Sequence, residues 1–296
     1  MAVIADATTL VSLDDLVIAE FINTESGISL GRAPRVYQLG VFVVPLLGTN
    51  SNVYTNPLRN EVSEATVKIE TDESDVVEIT TDEASISTQM VTLAAFVSDE
   101  AQGDALWDAM AAAAEEVTWA CARKINSDFL ALLSGFSAPI GDAATTFTVE
   151  NWVVMQTAWT ARVESVSVDP LLVLHPDARR DLQLDAVNNA APWFGASAGM
   201  QFHDSVKGIN NGRVTSFDGI NMVTASGVPV GDTTGWSNAL IVPSGRNAAI
   251  AMPVLQGIQL EFQREPLRKG GYVVASVRYG VGKQDDDAGL TVISKT

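Results

Sequence analysis

Hydrophobic and polar positions change period several times along the chain, and each change marks a different kind of element. In residues 1–38, Leu13, Leu16, Val17, Glu20 and Phe21 follow helical spacing, Ser12 can cap the helix, and Asp14 and Asp15 favour its positive end. Polar and Gly-containing stretches such as 23–27 surround it, which predicts an arm with one short helix that buries little by itself. Further on, Val67 and Ile69 alternate with Thr66, Lys68 and Glu70, residues 72–75 supply a turn, and Val77 and Ile79 alternate with Glu78 and Thr80. That is the pattern of a β-hairpin with one wet face. A two-stranded hairpin is marginal in water, so it needs something to lie on, and a neighbouring subunit is one candidate.

The strongest helical period runs over 98–133. Its apolar stripe is Leu106, Met110, Ala114, Val117, Cys121, Ile125, Phe129 and Leu133, with Ser98 as cap, Asp99 and Glu100 in the first turn and Gly135 past the end. Arg123 and Lys124 lie in the later part, in keeping with the macrodipole. Such a helix would span about 50 Å, long for a compact globule of this size, although Gly103 is a point where its first turn could break. From 141 onward the pattern alternates: a helix over 149–162, a buried strand at 171–174, a helix from Pro176 to about Leu184, and a Gly-, Ala- and Asn-rich surface loop over 188–212. Short strands are expected at 213–217, 220–225 and 239–242, and three more at 258–262, 273–281 and 290–293.

Charge changes the picture. The 296 residues carry 18 Lys+Arg against 36 Asp+Glu, a net −18 with pI near 4.3. Residues 61–116 alone hold 15 acids and one base, Lys68. This balance argues against nonspecific binding to nucleic acid or anionic membranes, both of which need clustered cations. Hydrophobic residues reach 47% while charged ones reach 18%, below the roughly 25% usual in soluble domains, which points to surface buried by partners. The longest apolar runs, such as 41–44, fall far short of the ~18 residues of a membrane span, so none is expected. Cys121 is alone, which excludes an intrachain disulfide and fits a reducing compartment. The start lacks the pattern of a secretory signal and there is no Asn-x-Ser/Thr sequon, so use inside a cell is expected.

Candidate chemistry is thin. Gly195-Ala196-Ser197-Ala198-Gly199 matches a G-x-S-x-G nucleophile elbow with His203 and Asp204 nearby, but an elbow needs a strand entering and a helix leaving, and its acid precedes its His in chain order. A surface loop is the expected reading. His175, between a buried strand and a helix start, reads as a satisfied helix-entry residue, since no second metal ligand is near. Asp285, Asp286 and Asp287 lack the ligand spacing of a calcium loop and read as a solvated turn. Gly280-Val281-Gly282-Lys283 lacks the first Gly and the Ser/Thr of a phosphate loop and reads as a strand end. Cys121, Trp152 and Trp159 read as core. No catalytic, cofactor-binding or metal-ligating residue is expected.

In the order of these parts the sequence resembles the tailed-phage major capsid proteins of the Hong Kong 97 fold. The resemblance rests on the acidic strand-rich loop and on Leu93-Ala94-Ala95-Phe96-Val97-Ser98-Asp99-Glu100. It continues through the long helix ending Arg123-Lys124-Ile125-Asn126-Ser127-Asp128-Phe129, then Leu172-Val173-Leu174-His175-Pro176-Asp177-Ala178-Arg179, then Gly219-Ile220-Asn221-Met222-Val223 and the closing Tyr279-Gly280-Val281. It implies an α+β capsid fold with an N-terminal arm at 1–38, an extended hairpin loop at 39–92, a peripheral domain made of 93–140, with the spine helix, and 257–296, and an axial domain at 141–256. It further implies a non-enzymatic virion protein, assembled in the host cytoplasm as hexamers and pentamers into an icosahedral head around double-stranded DNA, with no sequence-specific contact to that DNA. Other copies of itself are the main partners, with a portal and a decoration protein as further ones. Some relatives carry a scaffold-like segment of about a hundred residues ahead of the arm; here the arm begins at Met1, so a separate scaffolding protein is expected. Some relatives cross-link a loop Lys, and Lys68 is the base in this loop. An encapsulin-like nanocompartment shell and an α/β hydrolase using Ser197 are the alternatives.

Overall fold

The computed structural model describes residues 36–47, 51–59, 81–104, 108–137, 139–162, 170–194, 215–217, 220–230, 235–245 and 247–296. The arm helix expected near Ser12, the inner strands and turn of the hairpin, Lys68, Leu106 and Ser197 lie outside these residues.

Two sheets share one hydrophobic core. The first has the order β1 (Phe42–Pro45), β10 (Ile250–Glu265), β11 (Gly270–Tyr279), β4 (Gln89–Ser98), with the short β12 (Gly282–Lys283) also pairing β10. β1 runs parallel to β10 and the other pairs are antiparallel. The second sheet has the order β5 (Ile140–Gly141), β13 (Gly289–Lys295), β9 (Gly235–Ile241), β6 (Leu171–Leu174), β8 (Ile220–Thr224), β7 (Thr215–Phe217). A separate antiparallel pair, β2 (Val53–Arg59) with β3 (Thr81–Ser87), stands apart from both.

The helices are α1 (Val36–Gly40), α2 (Asp99–Asp104), α3 (Ala109–Ala131), α4 (Val149–Arg162) and α5 (Pro176–Phe194). The 98–133 helix of the sequence reading is thus two helices. Ser98 Oγ accepts from Ala101 N at 3.1 Å and caps only α2, while Asp108 restarts the chain by accepting from Met110 N and Ala111 N at 3.0 and 3.1 Å. A second cap, Asp108, ten residues after Ser98 competes with continuous helix, and α3 is accordingly about 35 Å long instead of 50. The stripe itself holds: Met110, Ala114, Val117, Cys121, Ile125 and Phe129 are all buried. A 3₁₀ turn, Leu132–Gly135, closes α3 and buries Leu133.

Other elements are longer than their sequence signals. α5 continues to Phe194, past the expected end at Leu184, through Asn188, Asn189 and Pro192; Ala186, Ala190 and Ala191 raise its helical propensity. The loop expected from 188 therefore begins no earlier than 195. β9 starts at Gly235, ahead of the expected 239. β10 begins at Ile250, not 258, and its register slips between Val254 and Gln256 and again between Gln256 and Gln259. Bulges shift the inside-outside alternation, which is why period-2 reading found only its last part. Gln89 to Thr92, expected in the extended loop, belong to β4, so the boundaries at 92/93 and 256/257 fall inside strands.

β6 is buried at all four positions, as a strand covered on both faces must be. It pairs β8 in parallel and β9 antiparallel, and α5 makes the crossover between the two parallel strands. Trp152, Met155 and Trp159 of α4 and Leu182 of α5 are buried in the same core as Phe129 of α3.

Candidate assembly surface

The sheet β10-β11-β4 has two unlike faces. Val273, Ala275, Val277 and Tyr279 of β11, Leu260 of β10 and the half-buried Val91, Ala95 and Val97 of β4 belong to the core that α3 fills. The alternate positions point away from it. In β4 these are Met90, Thr92, Ala94 and Phe96, in register with Arg278, Ser276, Val274 and Tyr272 of β11. Met90 is 64% and Phe96 43% exposed, and Phe96 leans on Tyr272 with ring centroids 5.0 Å apart. Thr92 and Ala94 are exposed as well, whereas Tyr272, Val274 and Arg278 are half-buried and Ser276 is buried.

The far end of the sheet carries charges of both signs. Between β10 and β11 the turn Pro266–Arg268 is followed by Lys269 in the left-handed region, φ 47°, and Leu267 at its tip is 93% exposed. Arg264 pairs with Asp99 at 3.2 Å and Arg268 Nη1 donates to Tyr272 Oη at 2.5 Å. Arg264, Arg268 and Lys269 thus stand at this end with Glu261, Glu265, Asp99 and Glu100, while Arg278 lies at the opposite end of β11.

Tyr279 ties the sheet to the spine helix. Its hydroxyl donates to Asp128 Oδ2 at 2.7 Å while Lys124 Nζ holds Oδ1 at 2.6 Å. Burial, and then the adjoining carboxylate, push the Tyr279 phenol far above its ordinary range, so it remains a donor throughout the working pH range. The C-terminal end of α3 contains no basic side chain in its last turn. Lys283 of β12 supplies one from 148 residues away by donating to Gly135 O at 2.5 Å, and Thr291 Oγ1 donates to Leu133 O at 2.7 Å.

The sequence candidates fall as follows. His175 caps α5: Nδ1 accepts from Asp177 N at 3.2 Å, and its own N donates to Asn238 Oδ1 at 2.7 Å. Its ring stacks on Trp236 at 3.5 Å and 11°. Nδ1 as acceptor places the ring proton on Nε2, and burial lowers the His175 pKa against the opposing pull of Asp177. Cys121 is buried, which raises its thiol pKa, and Trp152 and Trp159 are core. The Gly280–Lys283 run is a strand end and a short strand. The Asp285–Asp287 turn differs from the expected solvated one. Asp285 is half-buried, which raises its pKa; Asp286 accepts from Ser137 N at 3.1 Å and from Lys283 Nζ at 3.1 Å, bonds that outweigh its burial and lower its pKa. Ser197 follows a helix, α5, where a nucleophile elbow requires a strand. Among the described residues no group of three or more His, Cys, Asp or Glu could hold a metal, and no helix is long and apolar enough to cross a membrane.

This architecture, a helix laid on a long antiparallel sheet beside a mixed sheet and a projecting strand pair, is the Hong Kong 97-like α+β capsid fold. The capsid of a native GTA particle superposes with a TM-score of 0.66 at 12% identity, over 88% of this chain and 89% of that one. The capsid of cyanophage P-SCSP1u gives 0.64 at 13% identity over 88% of each chain. A virus-like particle from Pyrococcus furiosus gives 0.58 at 9% identity, over 93% of this chain and 99% of that one. Comparison with curated proteins gives no sequence match. The family model described as "Phage capsid protein" matches residues 82–293, and this chain belongs to that family. It is a shell protein that associates with copies of itself.

Proposed function

We propose that this chain is the major capsid protein of a tailed phage, assembling as hexamers and pentamers into an icosahedral head that encloses double-stranded DNA. The observation that carries the reading is the β2–β3 pair, which joins neither sheet and, among the described side chains, buries only Ile86. A hairpin so poorly covered by its own subunit is completed by a neighbour. Arg outnumbers Lys twelve to six in the chain, which suits bidentate pairing with the acidic stretch 61–83 across such a contact. Net negative charge keeps the inner wall from gripping DNA.

In this reading residues 1–38 are an arm, 39–92 the extended loop, 93–140 with 257–296 the peripheral domain, and 141–256 the axial domain. The role is structural and non-catalytic. Assembly takes place in the host cytoplasm with scaffolding, portal and decoration proteins as further partners. Electron microscopy of the chain co-expressed with its neighbouring phage genes tests this: closed icosahedral heads containing DNA are expected. Shells that hold a cargo peptide and no DNA would establish the nanocompartment instead, and a protein that stays single at high concentration would overturn both.

A further inference from the structure

Ile86 is an anomaly in its strand. Its described neighbours on β2 and β3 are exposed or half-buried, with Val53 39% exposed, yet Ile86 is 5% exposed. The space it fills exists because two residues lack a Cβ. A methyl on Gly282 would meet Ile86 Cγ1 at 2.7 Å, and one on Gly280 would meet the backbone oxygen of Ser87 at 2.4 Å. Neither glycine has a positive φ, so the requirement is for room and not for backbone freedom.

The notch is anchored on the body of the subunit. Gly280 N donates to Pro253 O at 2.9 Å, Gly282 pairs with Ala251 in β10, and the preceding Tyr279 is held to α3 through Asp128. On the hairpin side, Thr88 N and Oγ1 both donate to Asn52 O, at 2.8 and 3.1 Å, and clamp the two strands where they leave the body. Beside this contact lies an open groove of about 450 Å³, with Ser85, Ser87 and Gln89 on one side and Lys124, Asp128 and Lys283 on the other.

From these observations we infer that the β2–β3 pair is a latched lever, whose angle to the spine helix is set by one side chain, Ile86, seated in the Gly280/Gly282 notch. Seated, the lever is preset at a fixed angle in the free subunit. Unseated, it pivots over the groove about the Asn52/Thr88 clamp. The device belongs to the single subunit, so its test is independent of what the subunit assembles into.

The test is a distance measurement between nitroxides at Thr55→Cys on β2 and Glu116→Cys on α3 in the unassembled full chain; Cys121 is 2% exposed and stays unlabelled. A single narrow distribution is expected with Ile86 present. Ile86→Ala empties the latch and Gly280→Ala drives a methyl into the hairpin backbone, and each is expected to widen the distribution about twofold or more while circular dichroism stays native. Ile86→Val is expected to fall between. A broad distribution in the parent, equally narrow ones in both variants, or global unfolding by Ile86→Ala would each overturn the latch, the last because a local device does not carry the stability of the body.

Discussion

At His175, one residue makes three contacts that the sequence shows only as a histidine before a proline. Nδ1 caps α5, the ring face stacks on Trp236, and the backbone N is held by Asn238, whose own amide donates to Ser294 Oγ at 2.9 Å. The cap requires the neutral form: a protonated Nδ1 could no longer accept from Asp177 N and would place a cation at the positive end of a helix. The group facing it is Asp177 Oδ2, 3.3 Å away on the same helix, which lessens but does not cancel the effect of burial. The folded pKa lies below the unfolded value of about 6.5, so the unfolded chain binds the extra proton first. The stability contribution is complete above about pH 6.5 and is lost as pH falls through that value toward the lower, folded pKa. His175→Asn keeps a capping acceptor and removes the titration. Urea midpoints between about pH 8 and pH 5 are expected to fall more steeply in the parent than in the variant, and parallel slopes would exclude the assignment.

Among the elements, the spine helix shows how local chemistry and tertiary contact divide the work. Its buried stripe follows from spacing alone, but its start is decided by Asp108. Asp108→Ala removes the acceptor for two backbone N–H groups and is expected to cost about 1 kcal/mol in denaturant unfolding, whereas Ser98→Ala, which touches only the short α2, should cost less. An equal loss in the two variants would mean that the helices act as one. The far end of α3 is different in kind. Its carbonyls are met by Lys283 and Thr291, which no inspection of 109–135 could have found.

The molecule as a whole is a body with pieces that extend from it. A compact globule of 296 residues has a radius of gyration near ~19 Å. The unassembled subunit is expected to scatter with a clearly larger value at low concentration, because the β2–β3 pair joins neither sheet and buries only Ile86 among its described side chains. A value at or below that of a globule would show the pair folded back on its own body. The capsid fold was legible from the order of motifs even though each was weak: the acidic alternating stretch, the long apolar stripe, the buried strand ending in His175-Pro176, and the closing strands. The assembly surface was less so. Met90 sits in the stretch expected to be extended loop and Phe96 just past its end at 92, and their shared outward face became apparent only once β4 was paired with β11.

The chain by itself determined whatever depends on near neighbours: the stripe of α3, the four buried residues of β6, the core placement of Cys121, Trp152 and Trp159, and the acidity of 61–83. These follow because period and charge are local properties that any packing must respect. Tertiary structure decided where the period is interrupted and who completes each end. The two register slips in β10, the extension of α5 to Phe194, the Tyr279–Asp128 bond across 151 residues and the seating of Ile86 on Gly280 and Gly282 all depend on partners brought together from distant segments. Contacts of that separation leave no periodic trace in one sequence, because each is a single meeting of two side chains and not a repeated pattern.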